Sequence, residues 1–134
     1  KKFRVRVIKN LNFNEGINSS ISLGIKKLPK NSLSTMICLA DMPLLKSEDY
    51  NLMIQFEEKF RNKSKIIVPH SKTKRGNPVI FGKDYFNTLV NLVGDHGGKK
   101  ILEKNRDVIY YNTNSDGFYF DVDTQKDIIK LKNN

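Results

Sequence analysis

The sequence predicts an α/β fold in which helices cover both faces of a mostly parallel β-sheet. Short apolar runs alternate along the chain with segments whose apolar residues recur at helical spacing, and this alternation is typical of three-layer α/β proteins. The length of 134 residues suits one domain with a buried core. Because no internal repeat or linker divides the chain, we expect a single domain over residues 1–134.

The first half of the chain is expected to contribute two strands and two helices. The segment "KFRVRVI" alternates apolar and basic side chains, the period-two pattern of a strand with one solvated face. A helix is predicted in "NSSISLGIKKL", where Asn18 and Ser19 are favourable N-caps. The run "TMICLA" predicts a strand buried on both faces, and an amphipathic helix is expected from Ser47 to about Arg61.

The second half is expected to add three strands and three helices. The runs "KIIVP", "PVIFG" and "DVIYYN" are short, apolar and bounded by turn residues, as strands are. The segments "KDYFNTLVNLV" and "KKILEKN" fit helices, "HSKTKRGN" and "GDHGG" fit polar loops, and "NTNSDG" fits a turn. A last helix is predicted from Thr124, because Thr124 and Asp127 have the spacing of a capping box.

The composition restricts the partners of the protein without choosing among them. The chain has 24 Lys and Arg against 14 Asp and Glu, and a net charge of +10 attracts nucleic acid, nucleotides or phosphorylated substrates. The same charge can also be a solvated surface. No apolar run approaches the length of a membrane span, and the single cysteine, Cys38, suits a reducing compartment. We therefore expect a soluble, cytoplasmic protein without a membrane partner.

Aspartates follow two of the extended segments. Asp41 comes directly after "TMICLA", at the edge of an α/β sheet where ligands bind, and the Met42-Pro43 bond stiffens its turn. Asp121 and Asp123 alternate in "FDVDTQKD" and so share one face. Carboxylates at such an edge suit Mg2+, with Asp41 and Asp123 as ligands and Asp121 in support. The alternative is that each caps a helix or completes a turn.

Five motifs extend this interpretation. In this order along the chain, "GINSSISLGI", "CLADMPLL", "RGNPVIFG", "GDHGGKKIL" and "DVDTQKDI" resemble the MobA-like nucleotidyltransferases, and most closely the molybdenum cofactor cytidylyltransferase (MocA-like) branch. The resemblance implies a Rossmann-like three-layer α/β/α fold. It also implies transfer of a nucleoside monophosphate from an NTP, with CTP favoured, to a phosphorylated acceptor such as molybdopterin. Pyrophosphate would be released, and a molybdoenzyme or a chaperone would be the protein partner.

The resemblance also assigns roles to individual residues. Asp41 matches the Mg2+-binding aspartate of the family, and Asp123 is similar to its second metal ligand. Mg2+ and basic side chains would neutralise charge as the acceptor phosphate attacks the NTP, so no protein nucleophile is required. The remaining residues divide between a nucleotide pocket and an acceptor pocket. The nucleotide residues are Gly16, Ser19 and Ser20, and the acceptor residues are Arg75, Gly76, Asn77, Asp95 and Gly97. Among these, Gly76 would permit a close approach of the acceptor.

The sequence departs from the family pattern at its beginning. Relatives open with a strand and a glycine-rich "LAAG.S.RMG" segment that wraps the triphosphate, and this sequence contains no such segment. We therefore expect an N-terminally truncated domain. Ala40 also replaces the glycine that usually precedes the metal aspartate.

Two other interpretations stay open. Within the enzyme class, the nucleotide could be GTP or the acceptor a sugar phosphate. Outside it, the positive charge fits a non-enzymatic module that binds nucleic acid. Nucleic acid is the weaker hypothesis, because the aromatic residues fall at core spacing rather than on a stacking strip. They are Phe56, Phe60, Phe86, Phe118 and Phe120.

Overall fold

The computed structural model describes residues 5–60, 64–72, 74–92, 101–103 and 106–132. The α-helices with defined bounds in these ranges are α1 (Ile17–Lys26), α2 (Ser47–Glu58), α3 (Phe86–Val90) and α4 (Gln125–Lys132). Short 3-10 helices lie at Phe13–Glu15, Lys83–Tyr85 and Asp116–Phe118. The strands are β1 (Ser34–Ile37), β2 (Ile66–Ser71), β3 (Lys74–Arg75), β4 (Val79–Gly82) and β5 (Val108–Asn112). Residues 101–103 are also helical.

The five described strands form one mixed sheet. β5 is parallel to β2, whereas β4 is antiparallel to both β1 and β2, and β3 is antiparallel to β2. Strands β1, β2 and β5 therefore run in one direction and β3 and β4 in the other, so three of the five described strands share a direction while only the β2–β5 pairing is parallel. The short connection from β2 through β3 to β4 explains the reversal, because strands joined by a hairpin must be antiparallel.

Helices cover both faces of this sheet. Along β2, Ile66 packs in a cluster with residues of α1 and α3 such as Leu89. Its neighbour Ile67 points to the opposite face and packs with Met53 of α2 and Phe118, because successive side chains of a strand alternate between faces. All three residues of the run 66–68 are fully buried. The fold is thus the expected three-layer α/β architecture, with β2 at its centre.

Several predicted elements are confirmed. β2, β4 and β5 fall on the predicted apolar runs, and α2 begins at Ser47 as expected. α4 follows Thr124, whose backbone N–H and hydroxyl donate to Asp127 Oδ2 at 3.0 and 2.6 Å. Of the five aromatic residues at core spacing, Phe118 is fully buried, and Phe56 is partly buried with its ring centroid 5.1 Å from that of Tyr111.

The first predicted strand is wrong for its described part. Residues 5–10 have no regular structure, and the side chains of Val5 and Val7 are 77% and 89% exposed. An alternating pattern becomes a strand only where a neighbouring strand accepts its hydrogen bonds. No strand among the described residues pairs with this segment.

The predicted strand "TMICLA" is shorter and more exposed than expected. β1 is only partly buried, and Cys38 lies exposed beyond its end. In the described part of the chain β1 pairs with β4 alone. A strand with one neighbour is less shielded from solvent than a central strand with two.

The predicted polar loop "HSKTKRGN" is a hairpin instead. Ser71 pairs with Lys74 and His70 with Arg75, and Lys72 takes a φ of 42° at the turn. The segment "GDHGG" lies outside the described residues. No helix in the described ranges is both long enough and apolar enough to cross a membrane.

Candidate functional site

The start of α1 is set by Gly16. Its φ of 91° lies in the region that favours glycine, and its carbonyl accepts from the backbone N–H and hydroxyl of Ser19 at 3.1 and 2.8 Å. Gly16 is therefore the N-cap, and the prediction of Asn18 or Ser19 at that position is wrong. Asn18 is instead buried in the first turn, with 2% of its surface exposed.

The two predicted nucleotide-pocket serines are held by Asn10. Asn10 Nδ2 donates to Ser19 Oγ at 2.8 Å and to Ser20 Oγ at 2.9 Å. Asn10 Oδ1 accepts from the backbone N–H of Asn12 at 2.9 Å. These bonds fasten the segment before α1 to the side of the helix. Ser19 and Asn10 line a cavity of about 330 Å³ there.

A larger cavity lies between α1, β1, β4 and the turn that contains Arg75, Gly76 and Asn77, called here the RGN turn. Its volume is about 460 Å³. Its polar lining comes from Asn18 and the three residues of the RGN turn, and apolar side chains such as Ile37 form the walls. Apolar walls with a few polar groups are typical of sites for small molecules. The guanidinium of Arg75 can bind a phosphate through two parallel hydrogen bonds.

The RGN turn is pressed against the backbone near Phe118. Gly76 N–H donates to Pro69 O at 2.8 Å, and Asn77 N–H donates to Phe118 O at 3.0 Å. A Cβ on Gly76 would lie 2.4 Å from Phe118 O and 2.9 Å from Tyr119 Cε1. The turn therefore requires glycine because of its own packing, whereas the sequence suggested glycine for a close approach to the acceptor. The Asn77–Pro78 peptide bond is cis.

The segments that carry Asp41 and Asp123 meet in space. Asp41 lies in an exposed turn after β1, and its backbone carbonyl accepts from Val122 N–H at 2.9 Å. Val122 stands between Asp121 and Asp123, which are both exposed. The hydrogen bond therefore holds the Asp41 turn next to the segment that contains the other two carboxylates.

Comparison with known proteins identifies the family. The chain matches the MobA-like NTP transferase domain over residues 1–108. It belongs to this family. No curated protein matches the chain.

Three solved structures resemble this MobA-like domain. Rv0371c from Mycobacterium tuberculosis H37Rv is 20% identical with a TM-score of 0.70, covering 86% of this chain and 57% of that one. The manganese complex of Rv0371c is 20% identical with a TM-score of 0.69, and the match covers 86% of this chain and 60% of that one. A homolog from Mycobacterium sp. strain JC1 is 23% identical with a TM-score of 0.70, and the match covers 84% of this chain and 55% of that one. The chain thus spans less than two thirds of these proteins. At such identities the likeness shows a shared fold.

The donor set of this MobA-like domain fits a hard divalent cation. Asp41 and Asp123 would supply carboxylate oxygens, the ligands that Mg2+ prefers, because Mg2+ commonly takes one or two carboxylates and completes its shell with water and substrate phosphates. Asp127 is occupied by the helix start, because its hydrogen bonds from Thr124 and Lys130 lower the pKa of its carboxyl. In the described ranges no three His, Cys, Asp or Glu side chains form a group that could hold a metal ion.

Sequence reasoning missed the part played by Gly117 and Phe118. The sequence suggested only a turn at "NTNSDG", yet Phe118 is buried and its carbonyl holds Asn77. An aromatic residue directly after Asp-Gly was the available signal, because a turn followed by a large apolar side chain often enters a core. The predicted acceptor residues Asp95 and Gly97 lie outside the described residues.

Proposed function

We propose that this protein is a nucleotidyltransferase, which moves a nucleoside monophosphate from an NTP to a phosphorylated acceptor and releases pyrophosphate. Membership of the MobA-like NTP transferase family supports the class of reaction. The observation that carries the proposal is the hydrogen bond from Val122 N–H to Asp41 O, at 2.9 Å. This bond brings the segment that contains Asp41 next to the segment that contains Asp123.

The proposed chemistry needs charge neutralisation more than protein nucleophiles. An oxygen of the acceptor phosphate attacks the α-phosphorus of the NTP, and the bond from that phosphorus to the pyrophosphate oxygen breaks. Mg2+, held by Asp41 and Asp123, would supply positive charge to the phosphates. The manganese complex of Rv0371c supports the use of a divalent cation in this fold. Arg75 would bind the acceptor phosphate, and Gly76 and Asn77 would shape its pocket.

The nucleotide is proposed to bind at the start of α1, near Gly16 and the two serines. Ser19 already donates its hydroxyl proton to the Gly16 carbonyl. Ser20 is therefore the better candidate to donate a hydrogen bond to the nucleotide. Asp95 and Gly97 are proposed on the acceptor side.

The choice of a particular nucleotide and acceptor rests on the sequence motifs. We propose CTP as the nucleotide and molybdopterin as the acceptor, because the motifs are most similar to those of the cytidylyltransferase branch. GTP and a phosphosugar are the corresponding alternatives within the same reaction class.

The test is pyrophosphate release coupled to detection of the nucleotidylated acceptor by mass spectrometry. The reaction contains the protein, Mg2+, molybdopterin and either CTP or GTP. Asp41→Asn removes a metal ligand and is expected to lower kcat/KM by about 100-fold. Glu58→Gln is the matched control, since it neutralises an exposed carboxylate at the end of α2 and should leave the rate unchanged. An Asp41→Asn variant with the parent rate would contradict the proposed role.

A further inference from the structure

Residues 115–122, called here the strap, touch both halves of the proposed site. At one end, Ser115 Oγ donates to Asp49 Oδ1 of α2 at 3.2 Å. At the other end, Val122 N–H donates to Asp41 O at 2.9 Å. The strap therefore runs alongside residues 41–49, which include the turn of the proposed metal ligand, and is bonded to them at both of its ends.

Between these ends the strap is in close contact with Leu44 and Leu45 of the same segment. Gly117 is buried, and a Cβ placed on it would lie 2.8 Å from Leu44 O and 3.2 Å from the Cα of Leu45. Real Cβ atoms do not approach backbone atoms so closely, so any side chain at this position must displace the turn or the strap. The position of residues 44 and 45, which follow Asp41 by three and four positions, thus depends on glycine at 117.

The next residue of the strap, Phe118, holds the other half of the site. Its carbonyl accepts from Asn77 N–H at 3.0 Å. Phe118 is 1% exposed and packs with Met53 and Ile67 in the core, which fixes the position of that carbonyl. Two adjacent residues, Gly117 and Phe118, therefore contact the segment just after Asp41 and the RGN turn respectively.

We propose that the strap positions the two halves of the site relative to each other, with Gly117 as its positioning residue. This inference rests on the proposed function, in which Asp41 and Asp123 bind a divalent ion. Asp123 follows the strap directly and Asp41 is bonded to it, so the fit of the strap sets the separation of the two carboxylates. A displacement at Gly117 would move Asp41 away from Asp123 and disturb the carbonyl that holds Asn77.

The experiment measures Mn2+ binding to the protein by electron paramagnetic resonance of the free ion, so it requires no turnover. Gly117→Ala is expected to raise the Kd for Mn2+ by about tenfold, the usual result when a residue that orients metal ligands is changed. Gly24→Ala is the matched control, because no atom lies within 4 Å of its added Cβ, and it should bind Mn2+ as the parent does. Circular dichroism identifies a temperature at which every variant is folded. At that temperature a lower stability alone does not change the Kd for Mn2+.

The outcomes separate this inference from the proposed function. If the parent protein binds no Mn2+, the proposed metal site itself fails and the inference falls with it. If the parent binds Mn2+ and folded Gly117→Ala binds it equally well, the strap does not position the site and only the inference is overturned. Should Gly117→Ala not fold, Ser115→Ala decides, because it removes only the bond to Asp49. A Kd at least about twofold above that of the parent then supports the strap, and an unchanged Kd overturns it.

Discussion

Two glycines show how single residues set the geometry of the proposed site. At Gly76 and at Gly117 the backbone of another segment occupies the place that a Cβ would take. The sequence identified the first of these from its motif, but it assigned the close approach to a ligand instead of to Phe118. It gave no reason to single out Gly117, because such contacts join residues that are far apart along the chain.

Tyr85 provides a residue-scale prediction about pH. Its hydroxyl donates to Asp107 Oδ2 at 2.6 Å, and burial, followed by this hydrogen bond, raises the pKa of Tyr85 to about 12. The folded pKa lies above the unfolded value of about 10. The neutral side chain therefore contributes stability below about pH 10 that is lost as the pH rises towards about 12.

The expected result is that Tyr85→Phe loses less stability than the parent over that pH interval. Urea unfolding at about pH 9 and at about pH 11.5 measures the free energy of unfolding of both proteins. The comparison with Phe isolates the hydroxyl, because the titration of other groups is common to the two proteins. Parallel pH profiles would show that the Tyr85–Asp107 bond does not couple to stability.

At the scale of elements, the apolar runs were the most informative part of the sequence. β2, β4, β5 and α2 lie where the pattern predicted them, because each buries side chains from a continuous segment of chain. The pattern failed at residues 5–8, which alternate like a strand but have no partner among the described strands. It failed again in the β2–β3 hairpin, since a polar sequence does not report cross-strand hydrogen bonds.

Helix α2 supplies a prediction at this scale. Met53 is fully buried against the sheet, whereas its neighbour Ile54 is 47% exposed. Met53→Ala should lower the free energy of unfolding by about 2–5 kcal/mol, because the deletion leaves a cavity in the core. Ile54→Ala on the same helix should cost about 0.5 kcal/mol. Denaturant unfolding of both variants checks the face that α2 buries, and equal costs would show that α2 packs differently.

At the scale of the whole molecule, the sheet assembles the proposed site from distant segments. The sequence placed Asp41 and Asp123 at one edge, and the bond between Val122 and Asp41 joins those two segments. It also suggested that the start of α1 binds the nucleotide and that the RGN turn binds the acceptor. Residues of both segments line one cavity. The strap between these halves could not be predicted, because its contacts depend on how α2 and the RGN turn pack on the sheet.

If Asp41 and Asp123 together hold one divalent ion, as we propose, their contributions to Mn2+ binding are coupled, and a double-mutant cycle measures that coupling. The Kd for Mn2+ is measured for the parent, for Asp41→Asn, for Asp123→Asn and for the double variant. Two ligands of one ion should each weaken binding by about tenfold or more, and their effects should fail to add by more than about 0.5 kcal/mol. Strictly additive effects, or parent affinity in either single variant, would contradict a shared metal site.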